Sequence, residues 1–140
     1  MNLQRSAGLG LGLLGSFLMW QTGIGLAHFF YADGAERLLS LLVDPSHSMR
    51  LLSAMSAFLA GLAALTEREG GAWLAGFSTA LLGLQTLALL GGHGSVVSWQ
   101  QEAVFLIIST SLFLTLVVAR GQAAAETKVP ETDAASTVLA

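Results

Sequence analysis

The chain has 140 residues, 6 basic and 9 acidic side chains for a formal charge of −3, and a composition that is 54% hydrophobic and only 11% charged. That charged fraction is less than half of the ~25% usual in soluble domains, and a small body needs a mostly polar skin because it has much surface per volume. The composition excludes an ordinary soluble domain, a disordered chain and a nucleic-acid binder, which would need a basic patch, and it leaves an integral membrane protein in contact with the lipid bilayer.

The first apolar run, Ala7 to Phe30, meets no acid or base before His28. At a rise of about 1.5 Å per residue it is long enough to cross a ~30 Å hydrocarbon core. A cleaved signal peptide is the alternative, with Arg5 as its basic head and Ala32-Asp33-Gly34-Ala35 as a small-residue site. The run is long for the ~7–15 residue core of such a peptide. Between it and the second run, Leu38, Leu39, Leu41 and Leu42 follow the pair Asp33 and Glu36, a pattern that predicts a short helix lying in the membrane interface. Asp44-Pro45 then reads as an N-cap followed by proline at the first helical position. The second span therefore begins near residue 46 and reaches residue 66, with Arg50 snorkelling back to the interface.

Glu67-Arg68-Glu69-Gly70-Gly71 is a tight charged turn, so the second and third spans are expected to be antiparallel neighbours. The third span covers residues 72–90, and a glycine-rich connector holding His93 follows. The fourth covers residues 99–119, opened by Ser98 and Gln101 in a capping-box pattern and closed by Arg120. A soluble bundle would carry a charged stripe on each helix, whereas the centres of all four runs lack Asp, Glu, Lys and Arg. The expectation is an all-α integral membrane four-helix bundle over residues 1–120, with spans at about 7–30, 46–66, 72–90 and 99–119. A flexible, acidic cytoplasmic tail is expected over 121–140. Arg5, Arg68, Arg120 and Lys128 on one side, against Arg37 and Arg50 on the other, place both termini in the cytoplasm, in a bacterial cytoplasmic membrane.

Lipid supplies no hydrophobic force between helices, so close packing needs small residues. Gly8, Gly12 and Ser16 form such a face on the first span. The second has two, Ser53-Ala57-Gly61 and Ser56-Ala60-Ala64, and the third has Ala72-Gly76-Ala80. They serve either packing within the chain or contacts with a second copy or a membrane-protein partner; the second series on the second span is the one a single neighbour leaves spare. Trp20, midway along the first span, is expected to be buried, because an indole N–H there needs an acceptor.

Polar residues at membrane depth are the candidates for function. Gln21-Thr22 and Gln85-Thr86 lie at similar depths on two spans that run the same way. They predict either an amide bridge that sets helix register or the lining of a small ligand cavity. His28 and His93 lie farther along the same two helices, and His47 and Glu102 belong to the same membrane side. Gln21, His28, Gln85 and His93 are thus the candidate ligand-binding residues, and His28, His47, His93 and Glu102 the candidate metal set. Haem, a metal or a quinone would be the cofactor, since imidazole and carboxylate suit those ligands. Against this, no HxxxH or HExxH pair is present, interfacial histidines often act only as anchors, and a carboxylate in a helix's first turn is already favoured by the helix dipole. With 0 cysteines there is no thiolate site or thiol nucleophile. No phosphate loop, nucleophile elbow or dinucleotide fingerprint occurs on a strand–helix turn, and no mid-membrane charge supports ion-coupled transport.

The layout resembles the DoxX-like group of small four-helix bacterial membrane proteins. The features that carry the likeness are Arg5 and Gly8 heading a glycine-rich first span, the leucine-rich loop ending in Asp44-Pro45, Arg50 opening a span that contains Gly61, and a last span closed by Arg120. The resemblance implies redox or quinone-linked membrane work, and it assigns no residue. The leading expectation is a non-enzymatic membrane component that acts through helix contacts with itself or a partner complex. The alternative is a redox or ligand-binding protein that uses the outer-side histidines, and a third class is a small-solute pathway along the Gln-Thr pairs.

Overall fold

The computed structural model describes residues 3–68, 70–92 and 96–126. Their elements are α1 (Leu3–Asp33), α2 (Ala35–Val43), α3 (Pro45–Leu65), α4 (Gly71–Gly91) and α5 (Val96–Glu126), with no strand among the described residues. All but α2 are long and apolar enough to cross a membrane. The chain is an all-α four-helix bundle and a small multi-pass membrane protein. His93 and the tail from residue 127 onward lie outside the described residues.

Local chemistry sets the helix ends. Gly34 joins α1 to α2 with φ at +83°, a left-handed conformation that glycine adopts without steric cost. Asp44 caps α3: its carboxylate accepts from the Ser46 N–H at 3.0 Å and the Ser46 hydroxyl at 2.8 Å, and Pro45 takes the first helical position. The backbone bond, then the hydroxyl bond, hold the Asp44 carboxyl below its usual range. At the other end of α3, Arg68 N–H donates to the Ala63 carbonyl and Glu67 N–H to the Ala64 carbonyl, with Glu67 at φ 57°. This is a Schellman ending in which glutamate fills the position glycine prefers.

Helix α1 runs a turn beyond the expected 7–30 at each end, and both boundaries of α5 also differ from expectation. Helix α5 starts at Val96, so Ser98 lies within its first turn and not ahead of it. It also continues past Arg120 to Glu126, so residues 121–126, expected in the tail, are helical. Gln122, Ala123, Ala124 and Ala125 are good helix formers, and together they outweigh the ~1 kcal/mol cost of Gly121.

The long helices form a closed ring, α1 against α3, α3 against α4, α4 against α5, and α5 against α1. The α1–α3 seam is the most extensive. A Cβ at Gly61 would run into the backbone of Gly12, and one at Gly15 into the backbone of Phe58. These two glycines are therefore what allow the backbones to approach. Helix α3 buries Ser53, Ala57 and Gly61 and also Ser56, Ala60 and Ala64. Both of its small-residue faces are consumed inside the chain, so neither is left over for a partner. Leu11 and Leu116 anchor one apolar cluster, and Leu18, Leu82 and Phe105 a second.

Hydroxyls link neighbouring helices. Ser78 donates to the Ser53 carbonyl at 2.9 Å, and the Thr79 and Ser109 hydroxyls lie 2.8 Å apart. Thr110, Ser111 and Thr115 instead donate to carbonyls one turn back. At the α1 N-terminal end, Arg5 pairs with Glu67 at 3.1 Å and Arg120 donates to the Arg68 carbonyl at 2.6 Å. Trp20, expected inside, is 69% exposed on the outer surface of α1. The α1–α3 seam is made from glycines with no room for an indole, so the ring turns toward lipid.

Candidate functional site

At the opposite end, where α3 and α5 begin, each spanning helix contributes one polar side chain to a single cluster. Arg50 comes from the second turn of α3 and Glu102 from the second turn of α5. Gln21 comes from α1 and Gln85 from α4. Arg50 Nη2 donates to Gln21 Oε1 at 2.7 Å and forms an ion pair with Glu102 Oε1 at 3.1 Å. The Glu102 side chain is 5% exposed and that of Arg50 24%.

This overturns the expected snorkelling of Arg50. Its guanidinium crosses the bundle to a carboxylate, because an opposite charge in a medium of low dielectric offsets the loss of water more effectively than a long reach to the surface. Glu102 likewise does more than complement the α5 dipole. The expected Gln21–Gln85 amide bridge is replaced: Gln21 Oε1 is taken by Arg50, and Gln85 Oε1 has no partner among the described residues.

The cluster is incompletely satisfied. Gln85 Oε1, Glu102 Oε2 and Arg50 Nε are buried without a hydrogen-bond partner among the described residues, as is Thr22 Oγ1 on α1 outside the cluster. Each such group carries a desolvation cost of about 1–3 kcal/mol, more if charged. Thr86, the other threonine of the Gln-Thr pairs, donates to the Leu82 carbonyl at 2.8 Å.

A cavity of about 180 Å³ adjoins these groups, lined by Ser46, His47, Arg50, Gln85, Leu89, Gln101 and Glu102. A second cleft of about 450 Å³ lies between α3 and α4 and shares Ser46, Gln85 and Leu89 with the first. Its other walls are Asp44, Pro45, Met49, Leu84 and Ala88. The two together place a small polar chamber beside a larger, mostly apolar one.

Of the residues singled out in the sequence, Gln85, Glu102 and His47 line the polar chamber, and Gln21 is tied to it through Arg50. His47 Nδ1 lies 3.3 Å from the Ser46 hydroxyl and 3.7 Å from Asp44 Oδ2. His28 is exposed on α1, with its ring edge-on to Phe29, and does not line the chamber. His93 lies outside the described residues. Among the described residues no group of three His, Cys, Asp or Glu side chains is placed to hold a metal ion.

Sequence reasoning missed the central residue of the cluster, Arg50. The available signal was that Arg50 and Glu102 are opposite charges set just inside two spans on the same membrane side, where ionisable groups tend to pair. No protein-family model, no curated protein and no solved structure matches the chain.

Proposed function

We propose that this membrane protein binds a lipid-soluble molecule whose polar head carries hydrogen-bond donors. The head would sit in the Arg50–Gln85–Glu102 chamber and the apolar body in the adjoining α3–α4 cleft. One observation carries the reading: Gln85 Oε1 and Glu102 Oε2, both acceptors, are buried beside a cavity without partners among the described residues. An O–H or N–H donor on the ligand would satisfy them. Arg50 already balances the charge of Glu102, so a neutral hydroxyl head suits the site better than an ion. If the resemblance in layout to the DoxX-like group holds, the ligand would belong to a redox or quinone-linked setting.

Two further placements belong with it. Helix α2 lies in the interface, roofing the site's side of the membrane; Leu39 and Val43 are exposed along it. Both termini are cytoplasmic, supported by Arg5, Arg68 and Arg120 gathering at one end of the bundle.

The test is thermal unfolding of the protein in lipid nanodiscs with decan-1-ol or decan-2-one, which share a chain but differ in the donor. A ligand that binds only the folded state raises the midpoint by linkage. Decan-1-ol is expected to raise it, decan-2-one is not, and Gln85→Leu is expected to abolish the difference. Equal responses to the two compounds would remove the donor-head reading.

A second reading, a component that works through helix contacts with itself or a partner, retains one observation. The Ala72-Gly76-Ala80 face of α4 borders an open groove on the bundle surface. A self-associating species in mild detergent, lost on substitution of Ala80 by Phe, would support it.

A further inference from the structure

The open groove is independent of the polar chamber and lies toward the other end of the bundle. It runs between α4 and α5, has a volume of about 480 Å³, and is walled by Gly76, Ala80, Phe113 and Val117, with Trp73 and Arg120 at its mouth. A recess of about 530 Å³ continues from that mouth, sharing Trp73 and Arg120 and adding Glu67 and Gly70. We propose that this groove seats an acyl chain of an anionic phospholipid, with the lipid phosphate held at Arg120.

Its shape favours a chain over a helix. The small-residue face would invite a second helix only if its glycine were open to close backbone approach. Gly76 is not open: an added Cβ there would lie 3.2 Å from the Phe113 ring. Trp73, 85% exposed, and Phe77, 49% exposed, stand beside the stripe, so a second helix would have to displace their rings to reach it, whereas a hydrocarbon chain would not. What remains is a slot bounded by aromatic and aliphatic groups, suited to a flexible hydrocarbon chain.

Charge at the mouth selects the headgroup. Arg120 donates one bond to the Arg68 carbonyl, which orients its side chain. A guanidinium has five N–H donors in a planar fork that matches phosphate oxygens, so one bond leaves capacity for another partner. The Glu67 carboxylate in the same recess is engaged by Arg5 at 3.1 Å, which lowers its repulsion toward an anion. Trp73 supplies an indole at the depth where headgroups meet chains.

The experiment uses full-length protein, delipidated in dodecyl maltoside, with dioleoyl phosphatidylglycerol or dioleoyl phosphatidylcholine added back. Binding is counted by native mass spectrometry and its stabilising effect read as the shift in thermal midpoint. One basic residue near a membrane surface contributes about 1 kcal/mol toward anionic lipid, so phosphatidylglycerol is expected to bind about fivefold more tightly. Arg120→Gln should remove that preference and Arg120→Lys should keep it. Ala80→Phe, which fills the groove, should weaken both lipids. The headgroup comparisons are each between two lipids on one variant, so a change in basal stability does not enter them, and the Ala80→Phe effect is read from the bound-lipid count. Equal binding of the two lipids to the wild-type protein, or a preference that survives Arg120→Gln, overturns the proposal. So does a dimer that Ala80→Phe dissociates while lipid leaves it unchanged.

Discussion

One guanidinium nitrogen, Arg50 Nη2, lies 2.7 Å from Gln21 Oε1 and 3.1 Å from Glu102 Oε1, tying α1 and α5 to α3 through a single group. Breaking a buried ion pair by removing one partner costs about 3–5 kcal/mol, whereas replacing both partners with apolar residues is often neutral or stabilising. Glu102→Leu and Arg50→Met are each expected to destabilise the bundle by that amount, and the double variant to recover most of it. Unfolding free energies in mixed micelles for the four proteins would measure the coupling. A double variant as unstable as the sum of the singles would show that the two side chains do not act as a pair.

The two glutamines of the cluster are expected to behave oppositely. Gln21 accepts a charge-assisted bond, and Gln21→Leu should cost about 1.5–3 kcal/mol. Gln85 Oε1 has no partner among the described residues, so Gln85→Leu should leave the ligand-free protein as stable or more stable while removing ligand binding. Parallel melting curves of the two variants, with and without decan-1-ol, separate the roles.

Glycines along α1 and α3 divide by what a methyl group would meet. At Gly61 and Gly15 it would meet the backbone of the facing helix, and alanine there is expected to cost about 1–3 kcal/mol or more through separation of the seam. At Gly23 and Gly25 nothing lies within 4 Å, and alanine should be neutral or stabilising by up to about 1 kcal/mol through helix propensity. Thermal midpoints of the four single variants rank them.

Glu67 combines an unfavourable backbone conformation, φ 57°, with an exposed pair to Arg5. Glu67→Ala loses the pair and keeps the strain; Glu67→Gly loses the pair and relieves it. The exposed pair contributes at most about 1 kcal/mol, and the left-handed conformation costs a non-glycine residue about 1–2 kcal/mol. The glycine variant is therefore expected to exceed the alanine variant by about 1 kcal/mol and to match the wild type. Identical midpoints for the two variants would remove the strain argument.

The number of spans and the all-α class were legible in the amino-acid order. Each depends on local properties: the absence of charge over a membrane's thickness, the Asp44-Pro45 start signal, and the glycine-rich and charged connectors. The polar character of Gln21, Gln85 and Glu102 was legible for the same reason. What Arg50 reaches, which way Trp20 faces, and whether the second small-residue stripe of α3 stays free were settled only by the tertiary arrangement. A nearly uniform apolar helix carries no stripe that states its rotation about its own axis, so hydropathy leaves the inward face open. Backbone contact at Gly15 and Gly61 settles that rotation. It turns Trp20 outward and buries both stripes of α3, and across the bundle the Arg50 guanidinium reaches the Glu102 carboxylate, which leaves Gln85 Oε1 beside it without a partner among the described residues.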